Sequence, residues 1–159
     1  MLNVTRKTNR PFGDLMRLVD RLSKPSSQDR ADVRQSIHGF FVENFHNESS
    51  GYGEWEALKP RTQEERGRLG YDPDHPILRR EGTYMMSFLS GADHVGEFAR
   101  SNDGWSIVEG SKDERVLDLE YGNLIMADRP VTVPNERSYN HILATLDRIV
   151  DRAEREVGV

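Results

Sequence analysis

The chain predicts an α+β fold, with helices at the N-terminal end, a small antiparallel sheet and a long C-terminal helix. Three observations carry this expectation. Apolar residues recur at helical spacing over residues 12–22, 33–45 and 142–153. Two short runs rich in strand-forming residues flank the turn Ser101-Asn102-Asp103-Gly104, a hairpin signal. Between the helical ends and the hairpin lie short amphipathic pieces punctuated by Pro and Gly.

Residues 1–10 are polar and basic and read as an extended arm. Pro11 suits the first turn of a helix, where its missing N–H costs nothing. Phe12, Leu15, Met16, Leu18, Val19 and Leu22 continue that helix, and Ser23, Pro25, Ser26 and Ser27 break it. A second helix starts near Ser27 or Asp29, with Val33, Ile37, Phe40, Phe41, Val42 and Phe45 as its apolar stripe. His46 near its end suits the helix dipole. Residues 47–53 read as a loop, and Trp55 with Leu58 as a small apolar knot. Thr62 followed by Glu65 is a capping-box pattern, which predicts a helix over 62–69 ended by Gly70.

Asp72-Pro73-Asp74-His75-Pro76 reads as a turn cluster. Ile77 and Leu78 lead into a short helix carrying Tyr84, Met85, Phe88 and Leu89, closed by Gly91. Val95 to Ala99 and Trp105 to Val108 are the two strands of the hairpin. Val116 to Ala127 reads as further extended or short helical pieces, and Val131 to Val133 as a brief extended run. The last helix is capped by Asn135 or Ser138. Its apolar face is Ile142, Leu143, Leu146, Ile149, Val150 and Ala153, and Arg148, Arg152 and Arg155 place cations in its last turns.

The 159 residues fit one domain, 1–159. Charged residues make up 31%, above the usual quarter, and hydrophobic residues 35%, so the core is expected to be thin and helped by neighbours. A net charge of -5 gives no general attraction to nucleic acid or anionic lipid. With no cysteine, disulfides, thiolate nucleophiles and Cys-based zinc sites are excluded. No apolar run is long enough to span a membrane, and residues 1–10 lack the apolar stretch of a secretion signal.

No residue pattern singles out catalysis, a cofactor or a metal. His38 and His46 are eight residues apart, two turns along one helix, whereas helical metal pairs stand three or four apart. Asp72, Asp74 and His75 lack the Gly and distant Glu of a calcium loop. Glu54, Glu56, Glu64 and Glu65 could imitate an acid pair, but such a pair needs a cleft between its members. Ser87 and Ser90 lie in no nucleophile motif, and Gly51-Tyr52-Gly53 is too short for a phosphate cradle. Arg6, Lys7 and Arg10 form a basic arm that is either solvated or reaches a neighbouring subunit or DNA phosphates.

The order Trp55, Leu58, Thr62, then Arg66, then Ile77-Leu78, Gly82 and Ser87 resembles the tailed-phage virion morphogenesis and tail-completion proteins. That group includes the Mu G-like proteins and the related head–tail joining or neck proteins of long-tailed phages. Tyr121-Gly122 stands where the group has an aromatic/Gly element. Ala127-Asp128-Arg129-Pro130 resembles its Pro-Ala-Arg-Pro turn, with Ala127 in place of the leading Pro and Asp128 in place of Ala. The resemblance spans residues 28–157.

It implies helices packed on a small antiparallel sheet, and a structural subunit without catalytic residues or cofactor. Such a subunit assembles as a homo-oligomeric ring at the neck or tail end of the virion, after synthesis in the host cytoplasm. Its partners would be the portal-side connector and the tail tube or tail terminator, with DNA passing through the lumen without specific binding. The expected interface residues are Arg6, Lys7 and Arg10 in the arm, Trp55 and Leu58 as packing anchors, and the Arg129-Pro130 turn. The alternative reading is a small DNA- or protein-binding module without catalysis.

Overall fold

In the computed structural model of the protein, the described residues are 12–74, 83–90, 92, 94–101, 104–112 and 132–158. The fold is α+β, as the residue patterns predict, and the described residues hold five helices and two antiparallel strand pairs. Helix α1 covers Phe12–Ser23 and α2 covers Ser27–Asn47. A minimal pair β1 (Ser49–Ser50) and β2 (Gly53–Glu54) follows, then α3 (Pro60–Arg68) and α4 (Thr83–Leu89). The hairpin β3 (His94–Ser101) and β4 (Gly104–Ser111) precedes α5 (Glu136–Val157).

Helix α2 is the hub. It packs against α5, α4, β4 and β1, while α1 lies on α5. Its start is set by Ser26, whose hydroxyl accepts from the Asp29 N–H while the Asp29 side chain accepts from the Ser26 N–H, a reciprocal capping box. It ends at Glu48 in the left-handed region, φ 50°. Its aromatic residues make the centre of the core. Phe40, Phe41 and Phe45 cluster with Trp55 and Phe88, and Ile37, Leu58, Met85, Leu89 and Ile142 pack around them. Phe45 meets Trp55 edge-on with ring centres 5.8 Å apart, and Phe41 meets Phe88 at 5.1 Å, both within the range of favourable aromatic pairs.

Helix α3 departs from the sequence expectation. It begins at Pro60, with Lys59 as an N-cap that makes no side-chain cap bond, so Thr62 and Glu65 lie inside the helix instead of opening it. Proline at the first helical position sets the start without a cap. The expected stop at Gly70 holds. Gly70 sits at φ 83°, its N–H bonds to the Gly67 carbonyl, and the Tyr71 N–H bonds to the Arg66 carbonyl, a Schellman ending. The stretch 47–53, expected as a loop, contains β1 and the start of β2, paired Ser49 with Glu54 and Ser50 with Gly53.

Helix α5 is capped by Asn135, whose side chain accepts from the Ser138 N–H. Its inward face reaches α2 through both oil and polar contacts. Ile149 and Ala153 are buried, and Thr145 Oγ1 lies 2.8 Å from Ser36 Oγ in a buried hydroxyl pair. The segment before α5 is tied down too, because the Val133 carbonyl accepts from Asn44 Nδ2 and from the Gly51 N–H, both at 3.0 Å.

The hairpin ladder runs from His94 opposite Ser111 to Ser101 opposite Gly104. His94, Gly96 and Phe98 therefore share a face with Trp105, Ile107 and Glu109. Trp105 Nε1 donates to the Leu22 carbonyl at the end of α1, at 2.9 Å, and the Arg30 guanidinium of α2 lies 4.9 Å from the centre of the Phe98 ring. Register thus decides which hairpin residues meet α2.

Candidate functional site

Where the hairpin meets α2, three metal-ligating side chains converge. Helix α2 contributes His38, β3 contributes His94 and β4 contributes Glu109, and one ligand atom from each lies within 4.8 Å of the others. The Nε2 atoms of His38 and His94 each stand 3.0 Å from the same oxygen, Glu109 Oε2. The two imidazole rings face each other edge-on with centres 5.4 Å apart.

Each contribution follows from local structure. Gly96 is the ladder partner of Glu109, and His94 is two residues away on the same face, so His94 and Glu109 are diagonal neighbours. Arg34, one turn before His38 on α2, places Nε 2.7 Å from Glu109 Oε1. That contact is an ion pair without hydrogen-bond alignment, since neither atom completes a hydrogen bond. The Glu109 side chain is fully buried, while those of His94 and His38 are 18% and 32% exposed. The carboxylate is thus at the bottom of the cluster and the rings at its rim. A Cβ on Gly96 would lie 3.0 Å from His94 Nε2 and 3.3 Å from Glu109 Oε2, so glycine keeps one side of the cluster open.

A second ionic group lies between α1, α2 and α5. Asp29, fully buried, receives Arg21 Nη2 at 2.9 Å and Arg152 Nη1 at 2.6 Å. Arg152 also reaches Asp32 at 2.7 Å, and Arg21 pairs with Glu156. Burial pushes the Asp29 carboxyl up, but hydrogen bonding to Ser26 and the Arg21 guanidinium outweigh it and hold it below the usual range. Arg152 and then Gln28 hold Asp32 down, and Arg21 holds Glu156 down. Every charge here answers another, which marks a structural joint between three helices.

The residues expected at an interface are dispersed. Trp55 is 6% exposed and belongs to the chain's own core, with Leu58 half-buried beside it. Arg6, Lys7, Arg10, Arg129 and Pro130 lie outside the described residues, as do His75 and the segments 77–82 and 113–131. Glu54, Glu56, Glu64 and Glu65 all stand exposed, Glu65 pairing with Arg68 on its own helix. Ser87 is buried in the core and Ser90 is exposed.

What sequence reasoning passed over is the partner of His38. The spacing from His38 to His46 discouraged a metal reading, yet the relevant distance is the 71 positions from His38 to Glu109. The one signal was the hairpin. Extended one residue beyond Val108, the hairpin with Ser101 opposite Gly104 already sets Gly96 against Glu109.

A different surface is apolar. Phe12, Leu15, Met16 and Val19 on α1 are 75%, 46%, 51% and 51% exposed, and their spacing puts them on one stripe. Leu18, at the edge of that stripe one turn from Leu15, is buried. Comparison with protein-family models, with curated proteins and with solved structures finds no match to this chain.

Proposed function

We propose that this chain is a structural subunit at the head–tail junction of a tailed-phage virion, a neck or tail-completion protein that assembles as a ring joining the connector to the tail. The observation that carries the reading is the α1 stripe. Four large apolar side chains at helical spacing stand in water on one side of a helix whose other side packs on α5. Scattered exposed apolar residues are ordinary, but a continuous helical stripe is the form that an interface takes. A ring needs such a face on each subunit, turned to a different surface of the next copy.

The order of motifs from Trp55 to Ser87 supports the phage reading over other ring-forming classes, and so does the α+β architecture with its long C-terminal helix. The role is mechanical and non-catalytic. The net charge of -5 suits a wall past which DNA moves without sticking.

Native mass spectrometry of the purified chain, alone and with the connector, tests this. The expected result is a ring-sized oligomer, formed by the chain or on the connector. A monomer at all concentrations that ignores both connector and tail tube overturns it.

A further inference from the structure

We infer that His38, His94 and Glu109 form a binding site for a divalent transition-metal ion of the zinc class, which fastens the β3–β4 hairpin to α2. This goes beyond the ring reading and rests on none of its observations.

Three features of the cluster point to a metal. The first is distance. Metal–nitrogen bonds of about 2.1 Å at tetrahedral angles set ligand atoms about 3.4 Å apart. The two separations from Glu109 Oε2, 3.0 Å each, need to open by only a few tenths of an ångström. The second is how the His94 ring is held. Its Nε2 lies 3.0 Å from Glu109 Oε2 and its ring meets the His38 ring edge-on, so both contacts point the ring into the cluster. The third is space. The strand position facing Glu109 is Gly96, and any larger residue would put its Cβ against His94 Nε2 and Glu109 Oε2. Glycine at this position thereby keeps side-chain atoms off the cluster.

The donor set selects the ion. Two imidazoles with one carboxylate suit zinc and its neighbours, whereas magnesium and calcium take oxygen ligands. Arg34 belongs to the outer shell. It lies against Oε1 and so turns Oε2 toward the histidines, the part that carboxylate partners of ligands commonly play. Its positive charge also opposes the ion, which argues for moderate affinity. Because α2 and the two strands each supply one ligand, binding is expected to stabilise the packing between them.

The test uses chelator-treated full-length protein titrated with zinc chloride by calorimetry, and with cobalt(II) by visible absorption. One ion per chain is expected, with micromolar affinity or better, a tetrahedral cobalt spectrum and a higher Tm. His38→Ala and His94→Ala should each weaken binding at least 100-fold, and His46→Ala, altering an exposed histidine on the same helix, should not. Gly96→Ala should weaken binding at least tenfold while leaving every ligand residue in place, and it remains decisive if the histidine variants fail to fold. The inference is overturned if the wild type binds no more tightly than Gly96→Ala and His94→Ala, if His46→Ala loses as much, or if magnesium competes equally.

Discussion

Arg152 on α5 and Asp29 on α2 are joined by a 2.6 Å hydrogen bond between residues 123 positions apart, and the carboxylate they share with Arg21 is wholly buried. The pair links the start of α2 to the last turns of α5, while Arg21 brings α1 to the same point. Removing the carboxylate leaves Arg21 with Glu156 and Arg152 with Asp32 but takes away the charge that joins the three helices; removing Arg152 leaves Asp29 with Arg21 and its cap. Breaking a buried pair costs about 3–5 kcal/mol, and the 29% exposure of Arg152 discounts its share. Asp29→Ala is therefore expected to lower unfolding stability by about 3 kcal/mol and Arg152→Ala by about 1 kcal/mol, read from urea midpoints at constant m.

The same joint makes stability depend on acid. Asp29, Asp32 and Glu156 all titrate lower in the folded chain than when unfolded. Their unfolded values are about 3.9 for Asp and 4.3 for Glu. The contribution of a depressed carboxyl is complete above its unfolded value and disappears as pH falls through the folded one. Stability should thus be level from neutral pH down to about 5 and fall steeply below about 4. Asp29→Asn should flatten that fall. Denaturation midpoints measured across pH 2–7, a span of about five units around those values, will show whether it does; an unchanged acid limb in the variant would place the titration elsewhere.

The helices and the hairpin were legible because their signals are local. Periodic apolar residues, the break at Ser23 to Ser27, the Asn135 cap and the turn before Gly104 each act within a few positions of themselves. The clusters were not legible, because they are made by tertiary neighbours. Arg152 reads as a cation serving its own helix dipole, yet it serves Asp29 on another helix. His38 reads as an isolated surface histidine until the hairpin register brings His94 and Glu109 to it. The apolar residues of α1 show the converse. Their spacing identifies the helix but not what it faces, and four of the six are exposed.

Gly51 is a glycine that the packing requires. A Cβ there would lie 2.4 Å from the Pro134 carbonyl oxygen and 2.7 Å from Val133 Cγ1, so backbone would have to move. The N–H of Gly51 also holds the Val133 carbonyl at the approach to α5. Gly51→Ala is expected to cost about 1–3 kcal/mol, typical of forced overpacking. Gly39→Ala makes the comparison, because its added Cβ meets nothing within 4 Å and it lies in the middle of α2. There a stabilisation of up to about 1 kcal/mol is expected from helix propensity. Chemical denaturation of the two variants side by side tests the contrast.

Helix α1 separates the stability of a subunit from its assembly. Leu15 and Met16 are 46% and 51% exposed, so in an isolated chain Leu15→Glu with Met16→Glu should change stability by no more than about 0.5 kcal/mol each. Leu18→Ala, at a buried position beside the stripe, should cost about 2–4 kcal/mol. If a neighbouring copy covers the stripe, the double variant leaves the fold intact and abolishes the ring, because two carboxylates would be buried without partners. Leu18→Ala does the opposite, weakening each subunit while the stripe keeps its chemistry. Sedimentation velocity paired with thermal unfolding distinguishes the two outcomes, and a double variant that sediments like the wild type would remove the stripe from the interface.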